Sequence, residues 1–162
     1  MKIIFTLFVF LFTSFAFSCK SNKTNILVLD TEHDLTLIQI SKLDSLFRSH
    51  EKKTTNEIAL VTTQDYKPDT SILFFAVNFG RKYGVGKKNK NNGVVIVFSA
   101  NNRQTIISTG YGTEKILKDE IAKKIIDSLM LPLFKQGRIF DGLWEGSIAI
   151  VNFLERPENK IK

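Results

Sequence analysis

Two apolar runs on either side of an asparagine turn constrain this chain more than any other feature. Gly93-Val94-Val95-Ile96-Val97-Phe98-Ser99 and Arg103-Gln104-Thr105-Ile106-Ile107-Ser108-Thr109 are rich in β-branched residues, with Asn101-Asn102 between them. Two such runs joined by a short polar turn specify an antiparallel hairpin. A hairpin alone is marginal in water, so this one needs further strands or helices to cover it.

The hairpin's flanks are equally patterned. Tyr83-Gly84-Val85-Gly86 reads as a helix end, Lys87 to Asn92 as a basic, Asn-rich loop, and Gly110-Tyr111-Gly112-Thr113-Glu114 follows the second strand, with Asp119 at the mouth of another helix. This order resembles the TPM-domain family, named after a thylakoid-lumen protein, a photosystem II-associated protein and a worm receptor modulator. There a Gly-Ile-Gly run, a lysine and an Asp-Asn-Gly step lead to a hairpin and then to G-x-G-x-E. The resemblance extends from about Val28 to Phe153. It implies the family's fold, while family members have been linked to phosphatase activity, cation binding and membrane-complex assembly alike.

Periodicity supplies the remaining elements. Ile26 to Leu29 is a brief apolar run entering the acidic loop Asp30 to Asp34. Thr36 with Gln39 makes a capping box for a helix carrying Ile40, Leu43, Leu46 and Phe47 on one face. That helix is expected to end near Lys52-Lys53, where cations suit the dipole. Glu57 to Thr63 has the apolar centre of a strand covered on both faces. Pro68-Asp69-Thr70 is expected to start a second helix, with Ile72, Phe75, Ala76, Phe79 and Tyr83 in helical spacing and Gly84 as its C-cap. Ile121, Ala122, Ile125 and Leu129 mark a third helix interrupted by Pro132; Phe140, Leu143, Trp144, Ile148 and Val151 mark a fourth, ending before Pro157. The expectation is an α/β fold: one three-layer α/β/α domain over 26–156, its short mixed sheet formed by a parallel pair plus the hairpin, with a tail at 157–162. A helix links the strands at Glu57 and Gly93, so they should be parallel through a right-handed crossover.

Residues 1–18 read differently. Lys2 precedes an apolar stretch, Ile3 to Phe17, holding six of the 14 phenylalanines, and Ala16 and Ser18 are small residues at the cleavage positions. This is the pattern of a secretory signal peptide, with an uncleaved membrane anchor as the alternative. Cys19, the only cysteine, follows directly. Ser18-Cys19-Lys20 resembles the end of a bacterial lipobox, although Ala16 stands where Leu, Val or Ile is usual and Phe17 is bulky. Ordinary cleavage after Ser18 would leave a free thiol. Lipidation of Cys19 is favoured because an odd cysteine in an exported chain has no internal partner. Residues 19–25 then become an anchor and spacer, and the lipid would replace the transmembrane helix that many TPM proteins carry after the domain. The expected location is extracytoplasmic and membrane-anchored, as a periplasmic or outer-membrane lipoprotein, with the membrane and envelope proteins as partners. Loss of Lys2 with the leader lowers the formal charge from +7 to +6. The cations are scattered apart from the Lys87–Lys90 loop, and no RNA-binding signature accompanies them, so no nucleic-acid partner is expected.

Candidate chemistry rests on oxygen-bearing residues in loops. Asp30, Asn91, Asn92, Glu114 and Asp119 are expected to meet at one end of the sheet and partly supply the shell of a divalent cation such as Ca²⁺. Lys87 and Lys88 are the phosphate-binding candidates. The resemblance carries Asp30, Glu114 and Asp119 as acids of the family pattern, while Asn91 stands where the family has Asp. Each also has a plainer role: Asp119 suits a helix start, Asn92-Gly93 turn geometry, Asp30 a loop cap. Tyr111 is expected to pack over a neighbouring helix. His33 and His50 fit no zinc spacing and lack a Ser or Cys nucleophile partner; nucleophile elbow and P-loop motifs are missing, and no catalytic residue is assigned. The leading expectation is a binding or accessory module of the cell envelope. The alternatives are a metal-assisted phosphatase acting on phosphomonoesters and a purely structural envelope lipoprotein.

Overall fold

Helix α1 (Leu37–Thr54) begins where its capping box predicts. Thr36 Oγ1 accepts from the Gln39 amide at 3.3 Å, and Gln39 Oε1 accepts from the Thr36 amide at 2.8 Å. Leu43, Phe47 and His50 bury one stripe, and Lys52 and Lys53 occupy the last turn, before Thr55 turns left-handed (φ 68°). The computed structural model describes residues 27–161; the expected leader and Cys19 lie outside the described residues.

The brief apolar run before the acidic loop forms strand β1 (Val28–Asp30). With β2 (Glu57–Thr62), β3 (Gly93–Ser99) and β4 (Gln104–Thr109) it makes an open mixed sheet in the order β1-β2-β3-β4. β1 and β2 are parallel, β2 and β3 are parallel as expected, and β4 closes the hairpin antiparallel to β3. The parallel part therefore holds three strands rather than a pair. Every residue of β2 and β3 is buried, which is why both read as near-continuous apolar runs.

Helices cover both faces. Helix α2 (Ile72–Tyr83) starts after Pro68-Asp69-Thr70 rather than at it: Ser71 is its N-cap, with Oγ accepting from the Phe74 amide at 3.3 Å, while Asp69 accepts from Asn78 Nδ2 at 2.6 Å. It packs Ala76 and Phe79 on Ala59, Val61, Val95 and Val97. The opposite face carries α1, α4 (Asp119–Ile125) and α6 (Ile139–Leu154), joined through Leu43, Phe47, Ile58, Leu60, Ile96 and Ile150. Because α1 and α2 lie on opposite faces while the strands step in one direction across the sheet, their two crossovers have opposite hand. Only one of them obeys the right-handed rule.

The C-terminal layer corrects one expectation. Between them β4 and α4 enclose a four-residue helix, α3 (Tyr111–Glu114), and α4 runs on through a π turn (Ile126–Met130) into α5 (Leu131–Lys135). Pro132 does not end this helical run. It sits in the first turn of α5, where its missing N–H is tolerated, and the upstream turn widens instead. Met130 and Phe134 lie where side chains at Gly142 and Gly146 would stand, so those glycines bring α6 against the π turn. His50 is fully buried between Glu155 (3.2 Å) and Thr54 (3.2 Å), and burial lowers its pKa, so it bonds Glu155 as a neutral imidazole at pH 7. Among the described residues no helix is long and apolar enough to cross a membrane.

Candidate functional site

The glycine motifs meet at the end of the sheet where β2 and β3 begin. A Cβ on Gly112 would lie 2.0 Å from the Lys90 carbonyl oxygen, and one on Gly93 would lie 2.4 Å from that of Val85. Only glycine allows backbone to approach backbone this closely. The contact is fastened by Gly112 N–H donating to the Asn91 carbonyl at 3.0 Å and Gly110 N–H to that of Gly93 at 2.9 Å. The two segments that carry the family resemblance are therefore halves of one interlock.

Beneath it lies a polar knot. Asn92 is fully buried, accepts from the Lys87 amide (2.8 Å) and donates to the Thr55 carbonyl (2.9 Å) and Asn56 Oδ1 (3.0 Å). Glu57, 3% exposed, accepts from the Gly86 amide at 2.7 Å and from Lys87 Nζ. Lys87 Nζ also donates to Glu51 at 2.7 Å. These bonds to Glu51 and Glu57 raise the Lys87 pKa.

Above the interlock, Tyr111 is 77% exposed rather than packed over a helix, because α3, capped by Gly110, starts at Tyr111 and directs this first side chain outward. It borders two grooves. One, of about 780 Å³, includes Arg81, Lys88, Asn91 and Thr109; the other, of about 520 Å³, is lined by Glu114, Lys115, Lys118, Asp119 and Glu120. A cationic hollow and one of mixed charge flank a single exposed aromatic.

The expected oxygen cluster comes together only in part. Glu114 and Asp119 share the second groove, and Asn91 lies across Tyr111 from them. Asn92 is spent on the knot. Asp30 does not join: it pairs in register with Thr62, opposite Phe98, at the far end of the parallel strands, about 20 Å from Asn92. There it caps the acidic loop, accepting from Thr62 Oγ1 and from the amides of Asp34 and Leu35. Burial, and then the Asp34 side chain, push the neighbouring Glu32 carboxyl up to about 7. Of the two phosphate candidates, Lys87 is neutralised by its glutamates and Lys88 is exposed in the cationic groove. Among the described residues no three His, Cys, Asp or Glu side chains form a metal-holding group. Ca²⁺ takes roughly six to eight oxygens, and this donor set does not fit it as a resident ion.

Glu51, Glu57 and Arg81 are the residues that sequence reasoning missed. Glu57 carried a signal, as a lone acid at the start of a strand covered on both faces.

Similar structures agree with this architecture. The N-terminal domain of a P. gingivalis protein is 30% identical with a TM-score of 0.74, covering 83% of this chain and 85% of that one. The BA42 protein of the psychrophilic bacterium Bizionia argentinensis (20% identity, TM-score 0.65, 76% and 83% covered) shares the fold. So does the N-terminal domain of the cg2496 protein of Corynebacterium glutamicum (10%, 0.62, 80% and 80%). No curated protein matches the sequence. The model of the TPM domain matches residues 28–153, a span that takes in the interlocked glycines, the knot and both grooves: the chain belongs to the TPM-domain family.

Proposed function

We propose that this chain is an exported TPM-domain protein, tethered to the cell envelope through a lipidated Cys19, that works there as a binding or accessory module. The observation that carries the binding reading is Tyr111, an exposed aromatic on backbone locked by Gly110 and Gly112, between a cationic groove and one of mixed charge with three acids and two lysines. A rigidly held tyrosine offers apolar area and a hydroxyl at low entropic cost, as anchors of protein interfaces do. The phosphatase alternative finds less support. Asp30 lies at the other end of the sheet, Asn92 is spent, and the Lys87 ammonium is held by Glu51 and Glu57. A divalent cation, Ca²⁺ included, would be taken at Glu114 and Asp119 with water completing most of its shell, as an exchangeable ligand.

Two measurements test this reading. Wild-type protein is expected in the membrane fraction and Cys19→Ser in the soluble extracytoplasmic fraction; equal membrane retention of both forms would remove the lipid anchor. The purified full chain is expected to turn over a generic phosphomonoester slowly or not at all, with or without chelator. Asp119 is exposed and makes no side-chain hydrogen bond among the described residues, so Asp119→Asn should keep the fold. Robust, chelator-sensitive hydrolysis that disappears in Asp119→Asn would replace the module by the phosphatase.

A further inference from the structure

Among the described residues no fifth strand pairs with the outer edge of β4, where Thr105 and Thr109 are half-buried and Ile107 is buried. Gly110 N–H donates to the Gly93 carbonyl at 2.9 Å, and on the other side of β3 the Phe98 carbonyl accepts from Thr63 at 2.9 Å. Antiparallel ladders alternate, so Val95–Ser108, Val97–Ile106 and Ser99–Gln104 are the hydrogen-bonded pairs. Thr105, Ile107 and Thr109 therefore turn their N–H and C=O groups away from β3. Among the described residues no turn, loop or cap bond reaches those groups.

Proteins usually blunt such an edge with a short strand, a lysine, a proline, a bulge or a cover. β1, at the opposite edge, is only three residues long. β4 has six residues in unbroken register, with no lysine, proline or bulge. It is also the floor of a groove of about 950 Å³, walled by Ile72, Leu73 and Val77 on one side and Ala122, Ile126 and Leu131 on the other. Leu73 is half exposed. The ends of the groove differ in charge. Arg103 lies at the Gln104 end and Glu114 and Asp119 at the Thr109 end, while Lys123 is paired with Asp127 at 2.7 Å.

We infer that β4 accepts an extended peptide segment of a partner protein as a fifth, antiparallel strand. The segment is about six residues long, the length of the unpaired edge, and bonds through its backbone to Thr105, Ile107 and Thr109. Its alternate side chains meet two apolar walls, so small or β-branched residues suit both faces. Antiparallel pairing sets its first residue beside Glu114 and Asp119 and its last beside Arg103, which calls for Lys or Arg at the start and an acid at the end. The inference rests on the binding-module reading and adds the chemistry of the partner.

The test uses fluorescence anisotropy of a labelled, end-capped Lys-Val-Thr-Ile-Thr-Val-Glu peptide with the full chain in detergent micelles. Saturable binding is expected, weakened at least tenfold by N-methylation of the peptide amides facing β4, and severalfold at low salt in the charge-reversed Glu-Val-Thr-Ile-Thr-Val-Lys peptide. Thr105→Pro, which deletes an outward N–H without touching a ladder bond, should weaken it similarly; the N-methylated peptide carries the test if that variant misfolds. Absence of saturable binding, or binding indifferent to N-methylation, overturns the strand. So does self-association that Thr105→Pro abolishes, which would make a second copy the occupant. Failure here with membrane anchoring intact and hydrolysis absent sinks the strand alone, whereas robust hydrolysis sinks the module reading whatever the peptide does.

Discussion

Gly112→Ala is expected to destabilise the protein by about 3 kcal/mol, as a bulky intrusion into a packed region does. The added methyl would sit 2.0 Å from the Lys90 carbonyl oxygen and 3.1 Å from that of Asn91. Both are backbone atoms, and neither can rotate away. Relief requires the segment after β4 to lift from the Lys87–Asn92 loop, which breaks the 3.0 Å bond from Gly112 to Asn91. Gly137→Ala is the control: φ is +73° and nothing lies within 4 Å of the added methyl, so only backbone strain of about 1 kcal/mol applies. Urea unfolding followed by circular dichroism reads both variants. A Gly112→Ala midpoint no lower than that of Gly137→Ala would show that the two glycine segments do not interlock.

Lys87→Met should cost about 2–3 kcal/mol, at or below the low end of the range for breaking a buried pair because the lysine is partly solvated. The change leaves the Glu57 carboxylate buried with one amide donor and frees Glu51. The sign with pH follows from the raised Lys87 pKa. A cation stabilised in the folded state contributes fully below its ordinary pKa of 10.5, and that contribution is lost as pH rises through the folded value. The deficit of the variant should therefore be flat from pH 7 to about 10 and shrink above it. Adding Glu57→Gln should restore part of the loss, since the uncompensated charge goes with it. A double variant no more stable than Lys87→Met would mean that Lys87 acts through its methylenes rather than its charge.

Much of the fold was legible because local and tertiary signals agree. The Thr36–Gln39 box, the Gly84 cap, the hairpin and the parallel β2–β3 pair each follow from short patterns. Asp30 was misplaced for a traceable reason. Taken as a loop residue it could belong to either end of the sheet, but as the last residue of a strand parallel to β3 it must stand at the end where β3 finishes, away from the residues that precede β3. The knot was hidden because Glu51 and Glu57 meet Lys87 from 36 and 30 residues away. Tyr111 faces water because a four-residue helix follows Gly110, and so short an element has no periodicity to read. Pro132 signalled a break that the chain turned into a widened turn, since a π turn lets the helix continue past it.

The two faces of the sheet are unequally weighted. Among the described residues eighteen core side chains join the α1, α4 and α6 face and six the α2 face. Local opening costs least where least apolar surface is buried, so α2 is the natural subglobal unfolding unit. It also walls both the cationic groove and the β4 groove, through Val77, which lines each. A fluctuation of this one helix would widen two sites at once, and a ligand that clamps α2 at either site lowers the entropic cost of ordering the other. Two grooves that meet at Val77, Ser108 and Thr109 would thereby be thermodynamically linked through one helix.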